Sequence, residues 1–205
     1  MTRHIGIIRK RFRNSDFPVF TITDVKVALG KSRIHEGYIR VLMNYMVKRG
    51  ELRRISRGIY TFHVDAAVVG FAYRPFYYGM EDALSYLDLW NQATNPIIMT
   101  ASGVREGMRR FDGANYTVKR ISPKFFFGFT FIKHYEFWIP VSDREKTLID
   151  LLYYGHGIRE EALDALVEGI NEERLDEYLK SYGRAFRKRV YRQIRLAKKA
   201  IEAKA

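Results

Sequence analysis

The stretch from Met1 to Phe62 carries turn signals at spacings that few small folds accommodate. Glu51 to Ile55 and Ile59 to Phe62 are two short runs joined by Ser56-Arg57-Gly58, the pattern of a β-hairpin with a glycine turn. Directly before them, Ile34, Tyr38, Val41, Leu42 and Tyr45 recur at helical spacing, giving one apolar face of a helix that ends near Gly50. Upstream, Ile5, Ile8 and Phe12 space a first basic helix over residues 3–13. Asp16 to Pro18 close it, because proline biases the residue before it away from helix. Thr23 is an N-cap candidate for a short helix from Asp24 to Leu29, with Asp24 suited to the positive helix start and Gly30 to the C-cap. Lys31-Ser32-Arg33 reads as a tight turn, with Ser32 a cap for the helix that follows.

Helix, helix, turn, helix and basic hairpin form the order of a winged helix-turn-helix, in which the third helix enters the major groove and the wing lies along the backbone. At about 100° per residue, the face opposite the apolar one carries Arg33, Glu36, Arg40 and Asn44. Arg53, Arg54 and Arg57 crowd the hairpin. The expected DNA-binding set is therefore Lys31, Ser32, Arg33, Glu36, Arg40, Asn44, Arg53, Arg54 and Arg57. The plainer alternative is a small α+β domain with a solvated basic face. Each element alone is weak, and their conjunction favours DNA.

Charge supports the same partner. Residues 1–62 hold 14 Lys/Arg against 4 Asp/Glu, residues 63–180 hold 13 against 18, and residues 181–205 hold 9 against 1. Two basic ends thus flank an acidic middle within a net charge of +13. Such segregation fits a polyanion, since each phosphate neutralised by Lys or Arg releases a condensed counterion. Cysteine is absent, which removes disulfides, thiolate metal sites and a cysteine nucleophile. No apolar run approaches the ~20 residues that span a bilayer, and the Arg-rich start reads as helix rather than a leader. A cytoplasmic protein without a membrane partner is expected. Asn and Gln number only 8 beside abundant Arg, Lys and Glu, a hint of a thermophilic source.

Residues 63–140 contain 17 Phe, Tyr or Trp, a density suited to a compact core and a partner surface. Ala66 to Ala72 and Met80 to Leu89 read as helices. Pro96 to Thr100, Tyr116 to Ile121, Phe125 to Ile132 and Glu136 to Ile139 read as strands. Ser142-Asp143-Arg144-Glu145 has the spacing of a capping box and opens a helix with Leu148, Leu151 and Leu152, running to Tyr154.

The run FWIPVSDREKTLIDLLYYG (137–155) resembles the hallmark segment of the AbiEi-type antitoxins of type IV toxin–antitoxin systems. RRISRGIYTF (53–62) and YYGMEDALSYL (77–87) fit the same family as wing and first middle-domain helix, so that the resemblance spans residues 20–160. It implies a winged helix that represses the protein's own operon at inverted-repeat duplex DNA, and a second domain that opposes a co-encoded nucleotidyltransferase-like toxin. It places DNA contacts at Arg53, Arg54 and Arg57 of the wing and at Arg33 and Arg40 of the third helix. Two departures stand out: Tyr77-Tyr78-Gly79 replaces a more serine-like turn, and the tail after Lys180 is unusually basic.

Several constellations invite catalysis and fail on spacing. Asp143, Glu145 and Lys146 evoke a Mg²⁺-dependent nuclease, but Glu145 and Lys146 are adjacent and diverge on a helix. The histidines at 4, 35, 63, 134 and 156 show no metal-ligand spacing. Gly103 to Gly107 lacks the Gly-Lys-Ser/Thr ending of a phosphate loop. Ser102 and Ser122 lack a glycine elbow. No enzyme activity, cofactor or metal is expected. Glu160 to Ala165 and Leu175 to Leu179 read as acidic surface helices.

The last helix, Arg184 to Ala203, sets the stripe Phe186, Val190, Ile194, Ala197 and Ile201 against Arg187, Lys188, Arg192, Arg195 and Lys199. It fits a docked terminal helix, a second phosphate contact or, least well, an anionic membrane surface. The expected architecture is α+β: a winged-helix domain over 1–66, then a mixed α/β domain over 67–205 ending in the basic helix 184–203. The expected function is a sequence-specific duplex-DNA-binding repressor of the antitoxin type. Rivals are a nucleic-acid-processing enzyme docking through the winged helix and an RNA-binding accessory protein, since charge does not separate the two polyanions.

Overall fold

A computed structural model describes residues 2–15, 17–30, 34–92, 94–155 and 157–204. The chain is α+β. Helix α1 (Thr2–Phe12), strand β1 (Phe20–Thr21), helices α2 (Ile22–Ala28) and α3 (Glu36–Lys48), and strands β2 (Arg53–Ser56) and β3 (Ile59–Thr61) come first. The three strands form an antiparallel sheet in the order β1-β3-β2. Strands β4 (Phe76–Tyr78), β5 (Ile97–Thr100), β6 (Gly107–Phe111), β7 (Ala114–Arg120), β8 (Phe129–His134) and β9 (Phe137–Ser142) then build a mixed six-stranded sheet, ordered β6-β7-β5-β4-β9-β8; β5, β7, β8 and β9 overlap the four expected strands, and β4 and β6 are additional. Helices α4 (Glu81–Tyr86), α5 (Arg144–Tyr154), α6 (Glu160–Glu168), α7 (Glu172–Leu179) and α8 (Arg184–Lys204) complete the chain, with a 3-10 helix over Ala66–Tyr73.

Three apolar clusters hold these elements. Ile5, Ile8, Phe20, Val25, Ile39, Leu42, Met46 and Tyr60 join α1, α2 and α3 to one face of the small sheet. Val68, Tyr78, Ile98, Val118, Ile139 and Val141 fill the space between the 3-10 helix and one face of the large sheet. Tyr77, Met99, Leu148, Leu166, Leu179 and Val190 pack its other face against α5 to α8.

Helix α5 is the pivot of that last layer, and seven consecutive residues from Glu145 to Leu151 are buried. Four of these are polar, so burial carries a desolvation cost that partners must offset. Lys146 pairs with Asp150 one turn on. Tyr77 donates to Asp150 at 2.7 Å, and the Lys146 ammonium lies over the Tyr77 and Phe127 rings. Burial pushes Lys146 down and Asp150 up, each partly offset by the other's charge. Asp143 caps α5 by accepting from the Lys146 N–H at 2.9 Å, and Tyr178 donates to its second oxygen at 2.7 Å. The Glu145 carboxylate accepts from the Asn171 N–H at 2.7 Å. The expected Ser142–Glu145 box is thus corrected: Ser142 belongs to β9 and bonds Thr147, while Glu145 ties α5 to the start of α7.

Other corrections are local. The cap of α2 is Thr21, not Thr23, because only Thr21 has Asp24 three residues on to complete a reciprocal capping box. The expected strand from Phe125 to Ile132 is shortened by a 3-10 turn over Pro123–Phe125 and by Gly128, whose φ is +72°. A Cβ at Gly128 would lie 2.8 Å from Lys146 Cβ and from the Tyr178 ring, so the close approach to α5 needs glycine. Tyr77 and Tyr78 are not a turn but part of buried strand β4 at the sheet centre.

Removing one partner of the buried pair leaves an unpaired charge. Asp150→Ala or Lys146→Ala is therefore expected to cost about 3–5 kcal/mol in urea unfolding, and the double variant Lys146→Met/Asp150→Leu considerably less. Equal losses in all three variants would show that the pair does not act as a unit.

Candidate nucleic-acid interface

Helix α3 presents two unlike faces. Ile39, Leu42, Met43 and Met46 are buried against α1, α2 and β3, and Glu36, Arg40 and Asn44 are exposed on the other side. The expected polar face is therefore exposed, but the expected apolar face is displaced by part of a turn: Val41 and Tyr45 are 54% and 39% exposed and belong with the polar face. The exposed surface of α3 thus runs through Glu36, Arg40, Val41, Asn44, Tyr45 and Lys48. Its N-cap is His35, whose side chain makes no capping bond, so the expected cap at Ser32 is corrected. Lys31, Ser32 and Arg33 lie outside the described residues. Within the helix Arg40 is paired with Glu36, four residues before it. An exposed pair of this kind is worth little, so the guanidinium can leave Glu36 at small cost.

The hairpin β2–β3 stands beside α3, with a register shift between Arg54 and Ser56. Its two faces are both covered. Leu52 and Tyr60 enter the cluster of the three helices, and Ile55 enters the cluster of the large sheet, with Val19 and Ile59 packed beside it. Arg54 and Arg57 remain exposed at the edge and tip. Arg53 does not join them: its guanidinium turns to the large sheet and donates to Asp112 at 2.8 Å. The three wing arginines are thus separated into one structural residue and two available cations. At the neighbouring edge of the large sheet, Arg105 and Arg110 are exposed, a basic pair that sequence reading passed over because strand β6 carries no apolar alternation.

The far basic element is α8. Val190, Ile194 and Ala197 are buried and Phe186 and Ile201 half-buried, so the expected stripe docks the helix on α5 and α6. Lys198 and Lys204 are paired with Glu172 and with Glu160 and Asp164. Lys188, Arg192, Arg195 and Lys199 are exposed and Arg187 half-buried, and no ion pair among the described residues engages these five.

Histidines and acidic residues singled out in the sequence are held by separate partners. No group of three metal-ligating side chains occurs among the described residues. His4 meets the Tyr38 hydroxyl, His63 faces Glu136 at 3.7 Å, and His134 pairs with Asp65 at 2.9 Å, while His156 lies outside the described residues. Asp143, Glu145 and Lys146 point to three different partners, as above. No described helix is long and apolar enough to cross a membrane.

Residues 4–63 match the AbiEi_4 family model, described as "Transcriptional regulator, AbiEi antitoxin". The resemblance drawn from the sequence is met over these residues, and the segment 137–155 falls outside the match. The crystal structure of the RV2827C protein from Mycobacterium tuberculosis superposes with a TM-score of 0.62 at 15% identity, covering 95% of this chain and 75% of that one, a likeness of fold. No curated protein matches the sequence.

Because Ile55 anchors the wing from behind, Ile55→Ala is expected to cost about 2–4 kcal/mol of stability. Asp112→Ala, which removes a half-exposed ion pair, is expected to cost under about 1 kcal/mol. Chemical unfolding of both variants checks this, and a reversed order would mean that Arg53–Asp112 rather than apolar packing fixes the wing.

Proposed function

We propose that the chain is a sequence-specific duplex-DNA-binding repressor of the antitoxin type, with residues 1–66 as its winged helix-turn-helix domain. The observation that carries this is the pairing of an exposed α3 face, bearing Arg40, Asn44 and Lys48, with a hairpin whose exposed cations are Arg54 and Arg57. An α-helix fits the major groove, where Arg reads guanine O6 and N7 and Asn reads adenine N6 and N7. The wing cations then lie along the phosphates and fix register without reading sequence. The family match over residues 4–63 supports a transcriptional regulator. By the same family likeness, the operator is an inverted repeat and the second domain, residues 67–205, opposes a co-encoded nucleotidyltransferase-like toxin.

Equilibrium binding to a duplex selected from random sequence tests the reading. With about six phosphates contacted, log Kd against log salt is expected to have a slope of magnitude near 5. Arg40→Ala should lose about 1–3 kcal/mol on the selected site and little on random DNA. Arg57→Ala should weaken both alike and reduce the slope by about one. Binding that ignores salt and both substitutions would contradict the proposal, and tighter binding to single-stranded RNA would favour the RNA-binding reading.

The docked helix α8 extends the proposal to a second phosphate contact. Cations fixed on a packed helix lose less entropy on binding than those of a loose tail. Reversing Arg187, Lys188, Arg192 and Arg195 to Glu leaves the buried stripe intact. An unchanged melting temperature with weaker binding and a shallower salt slope is expected; unchanged affinity and slope would make α8 a solvated terminal helix.

A further inference from the structure

A groove of about 910 Å³ opens beside the free edge of the large sheet, away from α3 and the wing tip. Its floor is the aromatic face of β8 and β9, where Phe131 and Trp138 are 61% and 57% exposed beside Phe129 and Pro140. Phe17, from the segment between α1 and β1, and Phe71 form the opposite wall. Scattered exposed apolar residues are ordinary, but a contiguous aromatic groove is a binding surface.

The backbone at this edge is unpaired in a definite pattern. Asp143 N–H donates to Gly128 C=O at 2.9 Å, and the register continues as Phe129↔Ser142, Thr130↔Val141, Phe131↔Pro140, Ile132↔Ile139 and Lys133↔Trp138. In an antiparallel ladder, bonded and non-bonded pairs alternate. Thr130 and Ile132 therefore bond inward to β9, while Phe129, Phe131 and Lys133 turn their N–H and C=O groups outward. No backbone partner for these three occurs among the described residues. Their side chains line the groove, so one ligand can meet both the polar edge and the apolar floor.

We propose that this edge receives an extended, apolar segment with acidic flanks from a different protein, which adds as a strand to β8. Main-chain bonds then supply affinity and the aromatic floor selects alternate side chains. Charge decides between occupants. Arg74 and Lys133 stand on the groove, neither engaged in an ion pair among the described residues, against the single carboxylate of Glu136, which faces His63. A second copy would bring another Arg74 and Lys133 to the same interface, from a chain of net charge +13. Like charges opposed across strands are destabilising, whereas an acidic segment is complementary. The inference does not depend on the DNA-binding proposal.

Selection from a random peptide library displayed on phage, with the full chain as bait, tests it. Recovered peptides are expected to alternate apolar residues and to carry Asp or Glu at their flanks. Their binding, followed through Trp138 fluorescence in a Trp90→Phe background, should weaken at least about tenfold in Lys133→Pro, which removes one outward N–H and spares the inward ladder. Backbone N-methylation of the peptide at alternate residues should weaken it equally on unaltered protein, which keeps the test valid if Lys133→Pro unfolds the chain. Trp138→Ala, followed by the anisotropy of a fluorescein-labelled peptide because it removes the intrinsic probe, should also weaken binding. The proposal is overturned by failure to enrich any peptide, by enrichment of basic or non-alternating peptides, or by binding indifferent to N-methylation. It is equally overturned by sedimentation showing a dimer that Lys133→Pro dissociates, since the occupant would then be a second copy.

Discussion

The small sheet β1-β3-β2 is covered on both faces, and the rest of the arrangement follows from that. One face is held by the helices through Phe20, Leu52 and Tyr60, the other by the large sheet and the 3-10 helix through Ile55, Val19 and Ile59. A hairpin free on one side would sample many angles relative to α3. Here apolar packing fixes it and leaves its edge and tip, where Arg54 and Arg57 sit, open to solvent. The cations are therefore held in place relative to the core that also carries α3, the preorganisation that the proposed binding to a regular duplex would use. It also ties any disturbance of the large sheet to the pose of the wing through Ile55 and the Arg53–Asp112 pair.

In the segment that resembles the antitoxin hallmark, the charged residues each meet partners inside the fold. Asp143 caps α5 and meets Tyr178, Glu145 holds the start of α7, and Lys146 with Asp150 and Tyr77 forms a polar knot beneath β4. Such buried polar groups are costly unless every partner is present. They therefore specify one packing of α5, α7 and the sheet, and that specificity accounts for a dense run of charged residues in a buried helix.

Much of this was legible in the sequence, and the failures have physical causes. Helix order, the hairpin and the α8 stripe could be read because each depends on local periodicity. The rotation of α3 could not, since Ile39, Met43 and Met46 offer as good an apolar row as Ile34, Val41 and Tyr45, and only the neighbouring core chooses. The cap of α2 was misassigned between two threonines, although the Thr21 to Asp24 spacing held the answer. Strand β4 is three residues long and wholly buried, and β6 contains adjacent arginines at an edge, so neither shows alternation. The capture of Arg53 by Asp112, 59 residues away, and of Lys146 by a tyrosine from β4 are long-range events without local trace.

The central claim is that α3 reads the major groove while the wing rides the adjacent backbone. Methylation interference combined with hydroxyl-radical footprinting, on a duplex selected by the full chain, addresses it most directly. The account predicts that N7 methylation of guanines within one short major-groove segment blocks binding, with backbone protection immediately beside it. Binding that tolerates methylation at every guanine of a guanine-containing site, with protection spread evenly along the duplex, would contradict it.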